Sequence, residues 1–239
     1  MENVISVFRN ILDWLDEGKQ AAAATVVSKS GSGMRQIGAK MGVSSAMEIV
    51  GSVSGGCVES AVVQEALEAI KSGEIRIVDY GISDETAWSV GLTCGGKISV
   101  LIQPITIEPV KFSQRKLEDG IALIERRELF SLVTVLDGKF RGSLAIFSTN
   151  HIDNLAGEKS WWSEELSREL SGMQQREESG ILALDDRNFF VDTVPPQPRL
   201  VIIGGAHVSI PLVNIAKTAG YYTLIIDPRR AFANRDRFS

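Results

Sequence analysis

Cys57 and Cys94 are the two cysteines of the chain, and each sits among glycines. The first lies in Gly51-Ser-Val-Ser-Gly-Gly-Cys57-Val-Glu59 and the second in Gly91-Leu-Thr-Cys94-Gly-Gly96. Glycine beside a thiol permits turns that other residues resist and lets backbone N–H groups approach a ligand closely. Past Gly55 and Gly56, the residues Val58, Val62, Val63, Ala66, Leu67 and Ile70 recur at helical spacing. Glu59, Gln64, Glu65, Glu68 and Lys71 fall on the wet side of that helix. A glycine turn opening a helix presents unpaired N–H groups at the positive end of the helix dipole, a setting that suits phosphate or another anion. The hydroxyls of Ser52 and Ser54 add donors there. Cys57 falls near the first turn, where a thiol pKa drops from about 8.5 toward roughly 3.5–7.5. It is then a nucleophile or a soft-metal ligand; the other reading is a small thiol packed at a helix start. Cys94, in a glycine-rich loop before a strand, admits the same two readings.

Other chemistries find less support. There is no Cys-x-x-Cys, and His151 and His207 are far apart in sequence, which argues against a zinc site. No Gly-x-Ser-x-Gly elbow accompanies them, which argues against a Ser-His-Asp hydrolase. A second motif begins at Arg199-Leu-Val-Ile-Ile-Gly204-Gly-Ala-His207 and runs to Leu224-Ile-Ile-Asp227-Pro-Arg229. It reads strand, tight turn, helix, strand, with an acidic residue closing the second strand at a spacing suited to a ribose hydroxyl. Gly204, Gly205, His207, Asp227 and Arg229 are its nucleotide-binding candidates. Ala206 and Ser209 take the second and third glycine positions, and a methyl at 206 crowds a pyrophosphate. A βαβ unit that binds nothing is the alternative.

These loops need elements to hold them. Val4, Ile5, Phe8, Ile11, Leu12 and Leu15 mark a first helix that stops at Gly18. Strands are expected at 21–28, around 37–43, at 75–80 and at 98–103. Leu129–Leu136 and Phe140–Phe147 flank Asp137-Gly138, a hairpin signal. Trp162, Leu166, Leu170 and Met173 suggest a helix, and 181–184 with 188–194 a second hairpin around Asp185-Asp186. Pro195-Pro196-Gln197-Pro198 reads as a stiff linker. The fold class is α/β: an N-terminal mixed α/β domain over 1–195, then an incomplete Rossmann-like βαβ unit over 196–239. That unit has too few strands to close on itself, so the expectation is that the chain is part of a longer one, that the unit packs on the preceding domain, or that a second copy completes it in a homodimer. With 25 basic against 30 acidic side chains the formal charge is −5. Such a chain has no electrostatic reason to bind nucleic acid. No apolar run reaches a membrane span, and Met1-Glu2-Asn3-Val4 lacks the lead of a secretory signal. Few cysteines and no export signal point to the cytoplasm, with both thiols reduced.

The motifs taken together resemble the XdhC/CoxI family, accessory proteins of molybdenum hydroxylases such as xanthine dehydrogenase. The matching segments are Gly38-Ala-Lys-Met41, the loops of Cys57 and Cys94, and Asp227-Pro-Arg229, with the densest likeness over residues 20–105. The resemblance implies an α/β domain followed by a Rossmann-type domain. It also implies a chaperone, not a turnover enzyme, that binds molybdenum cofactor, protects it during sulfuration and delivers it to an apo-hydroxylase. On that reading Cys57 and Cys94 contact the cofactor and its molybdenum, since a soft thiolate suits that metal. Ser52, Ser54, Gly55, Gly56, Gly95 and Gly96 form the cradle, and Arg35 clamps the phosphate. The partners implied are an apo xanthine dehydrogenase-type hydroxylase and a cysteine desulfurase. Alternatives are an NAD(P)-binding oxidoreductase built on the C-terminal unit, a persulfide-carrying sulfurtransferase, and a pure docking module.

Overall fold

The computed structural model describes residues 4–31, 35–81, 96–108, 111–148, 151–152 and 161–238. The chain divides into two compact units, one over Glu2–Pro195 and one over Pro196–Ser239.

The first unit opens with helix α1 (Val4–Asp16), which buries Val7, Phe8, Ile11 and Trp14 along one face. Strands β1 (Ala21–Ser30), β2 (Lys40–Ser44) and β3 (Ile49–Gly51) follow, then α2 (Glu59–Ser72), β4 (Arg76–Tyr80) and β5 (Lys97–Pro104). These strands make an antiparallel sheet in the order β3-β2-β1-β5-β4. The register is fixed by pairs such as Ala24↔Met41, Thr25↔Leu101 and Tyr80↔Ile98. Gly51 ends β3 with φ +78°, and a Cβ there would collide with the Lys40 carbonyl. Only glycine permits that conformation at that separation.

The second sheet is also antiparallel. Helix α3 (Gln114–Arg126) leads to β6 (Phe130–Val135), β7 (Leu144–Ser148) and β8 (His151–Ile152). Helix α4 (Glu164–Gln175), capped by the Ser163 hydroxyl accepting from Leu166 N, then leads to β9 (Gly180–Leu184) and β10 (Arg187–Val194). The order is β8-β7-β6-β10-β9. Asp185 and Asp186 turn the β9–β10 hairpin with φ of 50° and 57°, the left-handed pair that a two-residue loop demands. The hairpin expected around Asp137-Gly138 forms, with β6 antiparallel to β7, but its connection carries a 3₁₀ turn, Gly138–Phe140, and β7 starts only at Leu144. The Asp137 carboxylate accepts from Asn188 N and Nδ2 on β10, so it ties two strands together instead of closing its own turn.

Helix α2 packs Val62, Ala66 and Ala69 on one face of the first sheet, against Ala22, Ala24, Val26 and Ile102. The opposite face, through Ala21 and Ala23, meets α1, α3 and the β6–β7 side chains Phe130, Leu132, Leu144 and Ile146. Val27, Leu101, Leu136 and Phe190 pack together between the two sheets. Helix α4 and Trp161 cover the far side of the second sheet. β1 is thus buried on both faces, which accounts for its unbroken apolar run. Each fully buried valine in these layers contributes about 1.5–3 kcal/mol. Among the described residues, Lys40 of β2 forms a buried ion pair in this interior: it donates to Asp192 of β10, with side-chain exposures of 3% and 5%, and to the Thr25 hydroxyl at 3.3 Å.

The second unit pairs β11 (Arg199–Ile203) with β12 (Tyr222–Ile226) in parallel, joined by α5 (Ser209–Thr218). Ile203, Val208 and Ile215 are 85%, 64% and 67% exposed, so this βαβ element shows apolar surface on strand and helix alike.

Candidate functional site

One end of the first sheet gathers the loops that the sequence singles out. β1 finishes there at Ser30, β3 at Gly51 and β4 at Tyr80, while β2 and β5 begin there. The 52–58 loop leaves β3 at this end and enters α2. Gly96 is buried and leads into β5 at the same end. Cys94 and Gly95 lie outside the described residues.

Val53 and Val58, both fully buried, pin the loop at its two feet. Between them Ser54, Gly55, Gly56 and Cys57 form an arch, with both glycines exposed and at positive φ. Cys57 is a free, half-buried thiol whose side chain borders the α2 core. Its N–H donates to the Ser54 hydroxyl at 3.0 Å. Arg35 comes to the same place: its Nε donates to the Ser52 carbonyl at 3.1 Å. Ser52 N–H in turn donates to the Lys40 carbonyl at 3.0 Å. The loop is therefore hung directly from the residue that holds the buried ion pair.

The organiser of the arch is a residue that periodicity assigns to the wet face of the helix. The Glu59 carboxylate turns back and accepts from Ser52 Oγ at 2.7 Å, Ser54 N at 2.9 Å and Ser54 Oγ at 2.5 Å. It also accepts from the N–H groups of Gly55, Gly56 and Val58 at 3.1, 2.9 and 3.2 Å. Burial pushes this carboxyl up, yet the hydroxyls of Ser54 and Ser52 and the Ser54 N–H outweigh it and hold the group at about 2. The N–H cradle expected for an external phosphate thus embraces an anion of the chain's own. An incoming phosphate reaches those donors only when Glu59 withdraws. The spacing Ser-x-Ser-x-x-x-x-Glu is a legible signal, since a carboxylate at the first helical position is well placed to satisfy the loop before it.

The second motif is likewise filled from within. Gly205 N–H donates to Asp227 Oδ2 at 2.8 Å, and Asp227 also receives the Arg229 guanidinium at 2.8 and 3.0 Å. The Arg229 side chain, then the Gly205 and Arg229 N–H groups, hold the Asp227 carboxyl well below the usual carboxylate range. A Cβ on Gly205 would collide with the Phe232 carbonyl, so the segment after β12 lies against the turn where a pyrophosphate would approach. The Arg229 guanidinium stacks 3.9 Å from the Phe232 ring centroid, and Arg237 donates to the Gly205 carbonyl at 3.3 Å. Gly204 N–H is spent on the Ile226 carbonyl, and His207 is exposed. Among the described residues no cluster of His, Cys, Asp or Glu is arranged to hold a metal ion. Nor is any described helix long and apolar enough to cross a membrane.

Residues 14–81, which include the arch, match the model of the XdhC and CoxI family. Over that stretch the chain is similar to the XdhC and CoxI family. A Bacillus subtilis protein named as a probable xanthine dehydrogenase subunit is 27% identical over 236 residues, covering 97% of this chain and 67% of that protein. The molybdenum cofactor insertion chaperone PaoD of Escherichia coli is 36% identical over 118 residues, covering 46% of this chain and 36% of its own length. A crystal structure described as a xanthine dehydrogenase from Bacillus halodurans superposes with a TM-score of 0.69 at 23% identity, over 99% of this chain and 66% of that one. The chain thus spans about two thirds of the longer relatives and about a third of PaoD. The mixed α/β fold is shared with that crystal structure.

Proposed function

We propose that this chain is a molybdenum-cofactor chaperone that holds the cofactor for a xanthine dehydrogenase-type hydroxylase. The observation that carries the reading is the arch itself. It holds a half-buried free thiol between two buried valines, beside Arg35, inside the segment that matches the family. The likeness to PaoD, whose name states cofactor insertion, supports the same class of cargo.

The residues suit such a cargo in part. A thiolate at Cys57 is a soft donor for molybdenum or its labile sulfur. Cys94 supplies a second sulfur, and Gly96 leads into β5 at the same end of the sheet. The hydroxyls of Ser52 and Ser54, with Arg35, are the donors for the phosphate once Glu59 is displaced. Exposed glycines at the crown let a bulky pterin approach without side-chain obstruction. A nicotinamide cofactor has no comparable support, because Asp227 and Gly205 are bonded to each other.

The test is anaerobic titration of the chain with molybdenum cofactor, followed by transfer to an apo-hydroxylase. Cys57→Ala and Cys94→Ala are expected to weaken binding and slow reconstitution. Full affinity and full reconstitution in the double variant would remove the thiol assignment. Mass spectrometry after incubation with a cysteine desulfurase separates a persulfide carrier, which gains sulfur, from a chaperone, which does not.

A further inference from the structure

The opposite end of the first sheet holds a cavity that plays no part in the proposed function. It has a volume of about 780 Å³ and lies where β1 begins, β5 ends and α2 finishes. Its apolar wall is made by Leu15, Ile70, Ile105 and Ile107, and Ser113 and Arg115 line its polar end. Ile107 is fully exposed at this site, an unusual setting for an isoleucine.

An unmet hydrogen-bonding need lies at Ser113. It is the N-cap of α3, a helix of 13 residues, and its backbone has the extended geometry of a capping residue, φ −110° and ψ 163°. A serine there normally accepts from an N–H of the first turn. Ser113 makes no such bond. Its hydroxyl is nevertheless buried, with the residue 4% exposed, and has no hydrogen-bond partner. The first turn of α3 contains no acidic residue to balance the helix dipole, and Arg115 adds positive charge. Leaving a buried hydroxyl unsatisfied is costly unless something else visits it.

We infer that this cavity binds a small amphipathic carboxylate, its head on Ser113 and the first turn of α3, its hydrocarbon against Leu15, Ile70, Ile105 and Ile107. A single carboxylate oxygen accepts from the hydroxyl and from the helix N-terminus together. Phosphate fits less well, because most of the lining is hydrocarbon and because Glu118, which also lines the cavity, repels a dianion more strongly than the single charge of a carboxylate. The polar groups fix the orientation and the isoleucines supply the contact area.

Hexanoate is the probe, with hexanol and inorganic phosphate as controls, read by methyl NMR on the whole chain. Hexanoate should shift the Leu15, Ile70, Ile105 and Ile107 methyls saturably, hexanol about tenfold more weakly, and phosphate not at all. Ser113→Ala should weaken hexanoate about tenfold while the melting temperature holds or rises, since no capping bond is lost. Ile107→Glu changes a fully exposed residue and should abolish the shifts with the fold intact. The proposal is overturned if hexanoate gives no saturable shift up to about 10 mM. It is equally overturned if Ser113→Ala or Ile107→Glu binds as the parent does, or if phosphate produces the same shifts.

Discussion

Glu59→Gln keeps the size of the side chain that gathers the arch but replaces an all-acceptor carboxylate with an amide. One glutamine atom must then point N–H hydrogens at the Ser54 hydroxyl or at backbone N–H groups that already need an acceptor. The fall of the carboxyl from its ordinary 4.5 to about 2 corresponds to about 3 kcal/mol at neutral pH. Solvent reaches the group past Gly55 and Gly56, and screening reduces this to about 1–2 kcal/mol. The sign follows from the direction of the shift. A carboxyl held low in the folded state stabilises fully above its ordinary value and loses that contribution as pH falls toward its folded value. Urea unfolding followed by tryptophan fluorescence should therefore show the variant about 1–2 kcal/mol less stable at pH 7. The gap should narrow below about pH 4.5 and close near pH 2. A variant as stable as the parent at pH 7, or a gap that ignores pH, refutes the view of Glu59 as the internal anion of the loop.

Lys40→Met alone strands the Asp192 carboxylate in the interior and should cost about 3–5 kcal/mol in the same assay. The double variant with Asp192→Leu should recover most of that loss, because the burden is an unpaired charge and not a missing attraction. Gly205→Ala drives a methyl into the Phe232 carbonyl, and hydrogen exchange should show the backbone amides of residue 205 and Phe232 opening faster than in the parent. Native-state alkylation with iodoacetamide should label the half-buried Cys57, as read by peptide mapping; a thiol unreactive until denaturation contradicts the arch geometry.

The Gly-Ser loop is legible from residue types because turns, thiols and hydroxyls advertise themselves locally. The role of Glu59 is not, since helical periodicity places it on the solvated face while its carboxylate reaches backward over the loop. Strand β1 is readable as buried from its apolar run. Helix α3 is not among the elements the spacing marks: Gly120 interrupts its pattern, and only the fold reveals that the Phe8 ring packs at that glycine. The Lys40–Asp192 pair joins residues far apart in the chain, and no local pattern announces it. Asp137-Gly138 marks the β6–β7 hairpin correctly but not the length of its turn. Its hairpin chemistry is genuine, but the carboxylate finds a better partner on Asn188, and the turn lengthens.

Ala21 to Ala24 make β1 a spacer one methyl thick, lying between α2 on one side and α1 on the other. A valine at position 22 or 24 would find no room to expand and would wedge α2 away from the sheet. Because α2 begins at Glu59, lifting that helix would drag the carboxylate from its ring of donors and slacken the crown around Cys57. A row of alanine methyls thus governs how firmly the thiol-bearing loop is seated.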